Sequence, residues 1–360
     1  MNKEEEQLKI KQNPYDYVCE YAESLYPHTG RQVFEIASLM PISLMLDDFP
    51  YFDDKQKMNI NMLFLAPSGS AKSKLSRLFE EFAYFPIMGK SYTPAELINT
   101  IKNQPVFSLI IEDLATMARD EELLKILESI LGEEKNLDRH TKTQFTSIDV
   151  NGIGFMCGVP DDLTSRLTSG LIFRTIVVIV LHDEFEHSEI GKHLSRMIGI
   201  ESKESIKKEI IKEYYHELQK ILSGLYPDKP PIMGYEIDQK FRDMIYNTWD
   251  SRTIIYRKNA QFNWHRELLD AYRIMISHAS LNYFNRKIVN NKIIIQDEDC
   301  RMACKFLEKS LEMKYSLLMM EELSGAVRSI NQLMTLKRNP KTPQLVKELM
   351  PIYMKNKIKH

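Results

Sequence analysis

Residues 60–65, Ile-Asn-Met-Leu-Phe-Leu, run without a break into Ala66-Pro67-Ser68-Gly69-Ser70-Ala71-Lys72-Ser73, and an amphipathic helical pattern begins at once. No other stretch constrains the fold as much, because it demands a buried strand, a tight loop and a helix N-terminus in immediate succession. Backbone N–H groups curling at such a helix start form an anion cradle. Lys72 reaches phosphate oxygens there, and the Ser73 hydroxyl suits a hard cation such as Mg2+. Ser68, Gly69, Ser70, Ala71 and Lys74 complete the candidate nucleotide-phosphate loop. Ala66 and Ala71 stand where the pattern GxxxxGK[ST] asks for glycine, so the strand–loop–helix context carries the assignment.

A phosphate loop of this kind works with an acidic end on a neighbouring apolar strand. Ser108-Leu-Ile-Ile-Glu112-Asp113 supplies one. Two carboxylates beside a buried strand are costly to desolvate unless a cation or water offsets them. Glu112 is placed near Mg2+ and Asp113 toward the attacking water.

Short apolar runs separated by helical stretches predict a five-stranded parallel sheet between residues 56 and 185, with strands at 60–65, 86–92, 106–111, 152–159 and 171–181. Helical patterns follow at 72–82, 94–102, 120–131 and 161–168, with Thr93 as N-cap before Pro94. Residues 1–55 read as an N-terminal helical segment. From His182 onward strands are expected to vanish, so that 186–325 forms a helical linker and lid, with a hinge at 226–231 where PDKPP stands. Low Gly (13) and Pro (15) in 360 residues agree with a mostly helical α/β chain.

A net charge of −2 excludes a globally basic nucleic-acid binder, so any such contact must be local. The start of the chain lacks a signal-peptide core, and the most apolar run, 171–181, is short and interrupted by Arg174. A cytoplasmic protein with no membrane span is expected. Cys19, Cys157, Cys300 and Cys304 show no CxxC spacing and read as buried free thiols. His182, His187 and His193 read as a solvated linker rather than a metal site, and Trp249 and Trp264 as lid core rather than base-stacking platforms.

The phosphate loop, with Ala before its Lys, resembles that of minichromosome maintenance (MCM) helicases, hexameric AAA+ motors whose loop commonly reads G-D-P-G-T-A-K-S. Arg266-Glu-Leu-Leu-Asp-Ala-Tyr-Arg273 through His278-Ala279 is similar to the lid pattern R-Q-L-E-A-L-x-R-L-A-x-A-H-A of that family, and the stretch from Ile295 to Ala303 resembles the helix start that follows it. The stretch from Leu137 through Gly158-Val-Pro to Arg174 is also similar to primase-associated ATPases of viruses and plasmids. The resemblance implies an AAA+ P-loop NTPase core with an all-helical lid, ATP and Mg2+ as ligands, DNA as the partner, and a homo-oligomeric, hexameric ring. It implies Arg174 as an arginine finger on a neighbour's nucleotide, with Arg166 in Thr-Ser-Arg as the competing finger, and Arg266 as a lid residue sensing the γ-phosphate. Val159 stands before Pro160 where the family carries a polar sensor, and the family's N-terminal oligonucleotide-binding domain has no counterpart. A helicase or translocase is therefore set beside an ATP-switched DNA-binding assembly or regulatory protein with weak hydrolysis, and beside packaging or transposition ATPases.

Between residues 131 and 152 the family carries its pore hairpin, which makes Lys135, Arg139 and Lys142 candidate DNA phosphate contacts. Residues 326–360 hold eight Lys or Arg against the single acid Glu348, a basic tail on a nearly neutral chain.

Overall fold

The computed structural model describes residues 3–26, 31–43, 46, 57–66, 72–83, 86–89, 92–103, 108–112, 114, 120–132, 136–140, 145–150, 153–160, 169–180, 191–192, 195, 203–222, 224–225, 232–256 and 265–326. The chain is mixed α/β and mostly helical. Helices α1 (Lys3–Gln12), α2 (Pro14–Leu25) and α3 (Arg31–Ser43) lead into β1 (Met62–Ala66). Then come α4 (Lys72–Phe82), β2 (Pro86–Gly89), α5 (Pro94–Asn103), β3 (Ser108–Ile111) and α6 (Glu121–Ile130). A hairpin of β4 (Asn136–His140) and β5 (Phe145–Asp149) precedes β6 (Gly154–Pro160), α7 (Ser169–Arg174) and β7 (Ile176–Ile179).

Five of these strands pair in the order β2-β3-β6-β1-β7, each pair parallel. Period-2 alternation splits β1 between two cores. Met62, Phe64 and Ala66 enter one buried cluster, with Leu75, Phe79 and Phe82 of α4 among its members. Leu63 and Leu65 enter the other, which holds Leu97 and Ile98 of α5 and Leu123 and Leu127 of α6. Both faces are covered, which is why the strands are apolar throughout. Capping sets where the helices begin. Thr93 and Glu96 form a reciprocal capping box at α5, with Glu96 N–H on Thr93 Oγ1 at 3.2 Å and Thr93 N–H on Glu96 Oε2 at 2.9 Å. Asp120 accepts the Leu123 N–H at 3.1 Å at α6.

One correction concerns 171–181. Its first part is helical, as α7, and the strand is only Ile176–Ile179. The Thr175 hydroxyl donates to the Leu171 carbonyl at 2.8 Å and closes the helical turn before the chain extends. A short apolar run has no period that separates helix from strand.

The C-terminal half contains α8 (Lys203–Leu222), β8 (Gly234–Glu236), α9 (Gln239–Tyr256), α10 (His265–Leu281), β9 (Ile288–Val289), β10 (Lys292–Ile294) and α11 (Asp297–Ala326). Strands therefore do not vanish after His182: β8, β10 and β9 form a small sheet, with β10 parallel to β8 and antiparallel to β9. Asn290 and Asn291 make its turn at φ 50 and 59. Two consecutive residues with positive φ give the twist a two-residue hairpin requires, and Asn tolerates that region.

The N-terminal helices share one buried cluster with α8, α10 and α11. The Tyr215 hydroxyl donates to the Ser38 carbonyl at 2.6 Å, Lys305 pairs with Glu35 at 2.8 Å, and Tyr15 meets the His278 ring edge-on at 4.8 Å. Trp249 is buried beside Tyr246 and His265. Cys19 and Cys300 are buried, whereas Cys304 is only partly so. No described helix is long and apolar enough to cross a membrane.

Candidate functional site

The chain leaves β1 for β2 at the far edge of the sheet, whereas β6 leads to β7 on the other side of β1. The carboxyl end of β1 thus lies where the strand order reverses, the place where open α/β sheets leave a crevice for ligands. The loop 67–71 between β1 and α4 lies outside the described residues, and with it Ser68, Gly69, Ser70 and Ala71. Its two ends are drawn together by Lys72, whose Nζ donates to the Ala66 carbonyl at 2.5 Å. Ser73 and Lys74 are exposed in the first turn of α4. The core of that helix is fixed instead by Leu75, Leu78, Phe79 and Phe82.

Glu112 follows β3 at the same edge of the sheet. Ile111, Cys157 and Leu63 are in register across β3, β6 and β1, so Glu112 sits two strands over from β1, roughly 10 Å away at the usual strand spacing. It is only 4% exposed, its N–H donates to Gly89 O at 3.0 Å, and its carboxylate faces Arg77 Nε of α4 at 3.5 Å. That long contact with a mostly exposed guanidinium is a weak tie. Arg77 was not among the residues singled out from sequence, and its place one turn beyond Ser73 on α4 is the signal that would have found it. Asp113 lies outside the described residues. A hydroxyl at Ser73 and a carboxylate at Glu112 are hard oxygen donors of the kind Mg2+ takes together with phosphate, so the residues fit that ion. No group of three or more His, Cys, Asp or Glu able to hold a metal occurs among the described residues.

Arg174 and Arg266 are brought together, but not with Lys72. They line one cleft with Lys57, Asn59, Asn61, Asp270 and Arg273. Arg174 immediately precedes Thr175 and β7, and Ile176 pairs with Met62 at the start of β1. The cleft is therefore at the amino edge of the sheet, and Lys72 follows the carboxyl edge. The length of β1 alone separates the two edges by roughly 13 Å. Arg174 Nη1 donates to the Gly170 carbonyl at 3.1 Å, and its buried Nε has no hydrogen-bond partner among the described residues. Arg266, Asp270 and Arg273 occupy one face of α10 at helical spacing. Arg273 Nη1 donates to Asp270 Oδ1 at 2.6 Å. Asp270 and Lys57 carried no sequence signal, because a lone acid in a helix and a Lys in Asp-Asp-Lys-Gln-Lys both read as solvated charge.

The segment 131–152 contains the β4–β5 hairpin. Leu137 and Ile148 pair and are buried, while Ser147 Oγ donates to Asp138 Oδ1 at 2.6 Å on the other face. Arg139 stands in β4 in register with Thr146 of β5. Lys135 and Lys142, Arg166, the three histidines of 182–193, the helical pattern 161–168, the hinge 226–231, Trp264 and the basic tail from residue 327 lie outside the described residues. No model of a known protein family matches the chain, and no curated protein matches it either.

Proposed function

We propose that the chain is an ATP-hydrolysing motor of the AAA+ class acting on DNA, similar to MCM helicases and to primase-associated ATPases of viruses and plasmids, with its active site shared between subunits of a homo-oligomeric ring. The observation that carries this reading is the separation of the cationic residues onto two edges of one parallel sheet. Lys72 stands at the loop after β1, and Arg174 with Arg266 stands at the opposite edge. Within one subunit these arginines do not reach the phosphates that Lys72 would hold. A neighbour whose amino-edge cleft faces the β1 loop brings them there, which a ring provides.

Lys72 and the backbone N–H groups of 68–73 hold the phosphates, and Ser73 and Glu112 hold Mg2+, which when bound screens phosphate charge. Asp113 orients the attacking water. Arg174 stabilises the charge that develops on the transferred phosphoryl group, acting in trans. The β4–β5 hairpin, with Lys135, Arg139 and Lys142, contacts DNA phosphates and so binds without reading sequence. ATP turnover measured with and without DNA tests the reading: DNA raises it several-fold, and equal turnover in wild type and Lys72→Ala overturns it. A second reading, an ATP-switched DNA-binding assembly protein with weak hydrolysis, is favoured by Val159-Pro160 at the end of β6, where a polar sensor is absent. ATP-dependent DNA binding without DNA-stimulated turnover distinguishes it.

A further inference from the structure

Residues 57–61 lead straight into β1, whose far end carries the Lys72 loop. Lys57 is 4% exposed, and its Nζ donates to two backbone carbonyls, Ile130 at 3.0 Å and Val150 at 2.9 Å. Ile130 ends α6 and Val150 follows β5. One ammonium thus grips the chain on both sides of the β4–β5 hairpin and closes the base of that excursion. The backbone carbonyl of the same residue accepts Arg273 Nε of α10 at 2.8 Å, and Arg273 shares its helix face with Arg266. Two residues further on, Asn59 Nδ2 donates to Ile153 O at 2.5 Å, and Asn61 Nδ2 to Arg174 O at 3.3 Å.

We propose that Lys57 is a positioning residue that couples the lid helix α10 and the amino-edge arginines to the β4–β5 hairpin. Lid position is felt through Arg273 on the Lys57 carbonyl and passed through the Lys57 side chain to the hairpin base. A cap on α6 alone needs only the bond to Ile130. The second bond, to Val150, serves nothing in α6 and spans the hairpin. Burying an ammonium is also dearer than burying a methionine of the same length, so packing does not account for the residue. Lysine suits the task because three rotatable N–H donors on a point charge can take carbonyls converging from different elements. Contiguous hydrogen bonds of this kind are a physical route for coupling between sites. The link to DNA and ATP rests on the function proposed above, whereas the mechanical link does not.

Amide hydrogen exchange on the full chain tests it. Lys57→Met raises exchange across 136–149 about tenfold or more while α9 stays at wild type. Arg273→Gln, distant in sequence, raises the same amides several-fold, and the double variant exchanges no faster than Lys57→Met, because the two act in series. Wild-type hairpin exchange in Arg273→Gln, or effects that multiply in the double variant, overturns the coupling; where Lys57→Met does not fold, Lys57→Arg replaces it and the same outcomes apply. A second arm compares DNA-stimulated with unstimulated ATP turnover, a ratio that falls toward one in Arg273→Gln. Absence of stimulation in wild type counts against the proposed function, and the exchange arm then decides the coupling by itself.

Discussion

Lys72 donates its ammonium to the carbonyl oxygen of Ala66 at 2.5 Å, so the first residue of α4 holds the last residue of β1 across the loop between them. A phosphate entering that loop offers the ammonium charged oxygens in place of a neutral carbonyl, and charge-assisted hydrogen bonds are roughly twice as strong.

Lys72→Ala therefore removes the group that would neutralise phosphate charge without disturbing Leu75, Leu78 and Phe79, which anchor the helix. ATP turnover falls on the order of 100-fold or more, while the thermal unfolding midpoint stays within a few degrees of wild type. Steady-state phosphate release and a thermal melt check both halves. Unchanged turnover would falsify the nucleotide reading of the loop.

Arg174 and Lys72 occupy opposite edges of the sheet, which makes complementation between subunits a direct check. Arg174→Ala and Asp113→Ala are each inactive alone. Mixed, they regain activity at those interfaces where an intact arginine meets an intact acid. A mixture that stays as inactive as its components rules against a finger acting in trans.

Asp299 is buried with Arg286 and His278, accepting Arg286 Nε at 3.1 Å and lying 2.6 Å from His278 Nδ1. Burial pushes its carboxyl up, but the hydrogen bonds from His278 and Arg286 outweigh it and hold the group below its ordinary value of 3.8. A carboxyl lowered in the folded state stabilises at pH above that ordinary value, and the contribution is lost as pH falls below it. Asp299→Asn leaves buried donors with a neutral partner, at a cost of about 3 kcal/mol at pH 7. The gap to wild type narrows as pH drops beneath about 4. Urea unfolding at pH 7 and pH 3.5 checks this, and an equal gap at both contradicts it.

Glu267 of α10 and Lys314 of α11 form a hydrogen-bonded ion pair, both fully buried, with Ser310 Oγ donating to the same carboxylate at 2.7 Å. Lys314→Met strands a carboxylate in the interior and costs roughly 3–5 kcal/mol. Glu267→Leu together with Lys314→Met costs less than either single change, because no charge is left behind. Chemical denaturation of the four proteins gives the coupling directly. Additive losses would mean that the pair acts as two independent contacts.

The parallel strands were legible because their faces are apolar throughout, and β1 in particular was placed within two residues by its apolar run into the Ser-Gly loop. Thr93-Pro94 and Asp120 marked their helix starts through local hydrogen bonds that need no distant partner. The small sheet of the C-terminal half was missed because two- and three-residue strands carry no period. Its signal was only the Asn290-Asn291 turn. Arg174 was legible as a charge against an apolar run but was assigned to a strand, because a bend at Thr175 leaves no trace in hydrophobicity.

The sequence by itself determined the apolar strand that ends at Ala66, the helix that begins at Lys72 and the acid at the end of β3. Each depends on residues close along the chain. Only the tertiary structure decided that Arg174 and Arg266 meet in one cleft on the edge away from Lys72, and that Lys57 binds both ends of a hairpin. Those relations are set by strand order and by helix packing across the sheet, where contacts join residues more than 70 positions apart and the pattern along the chain is silent.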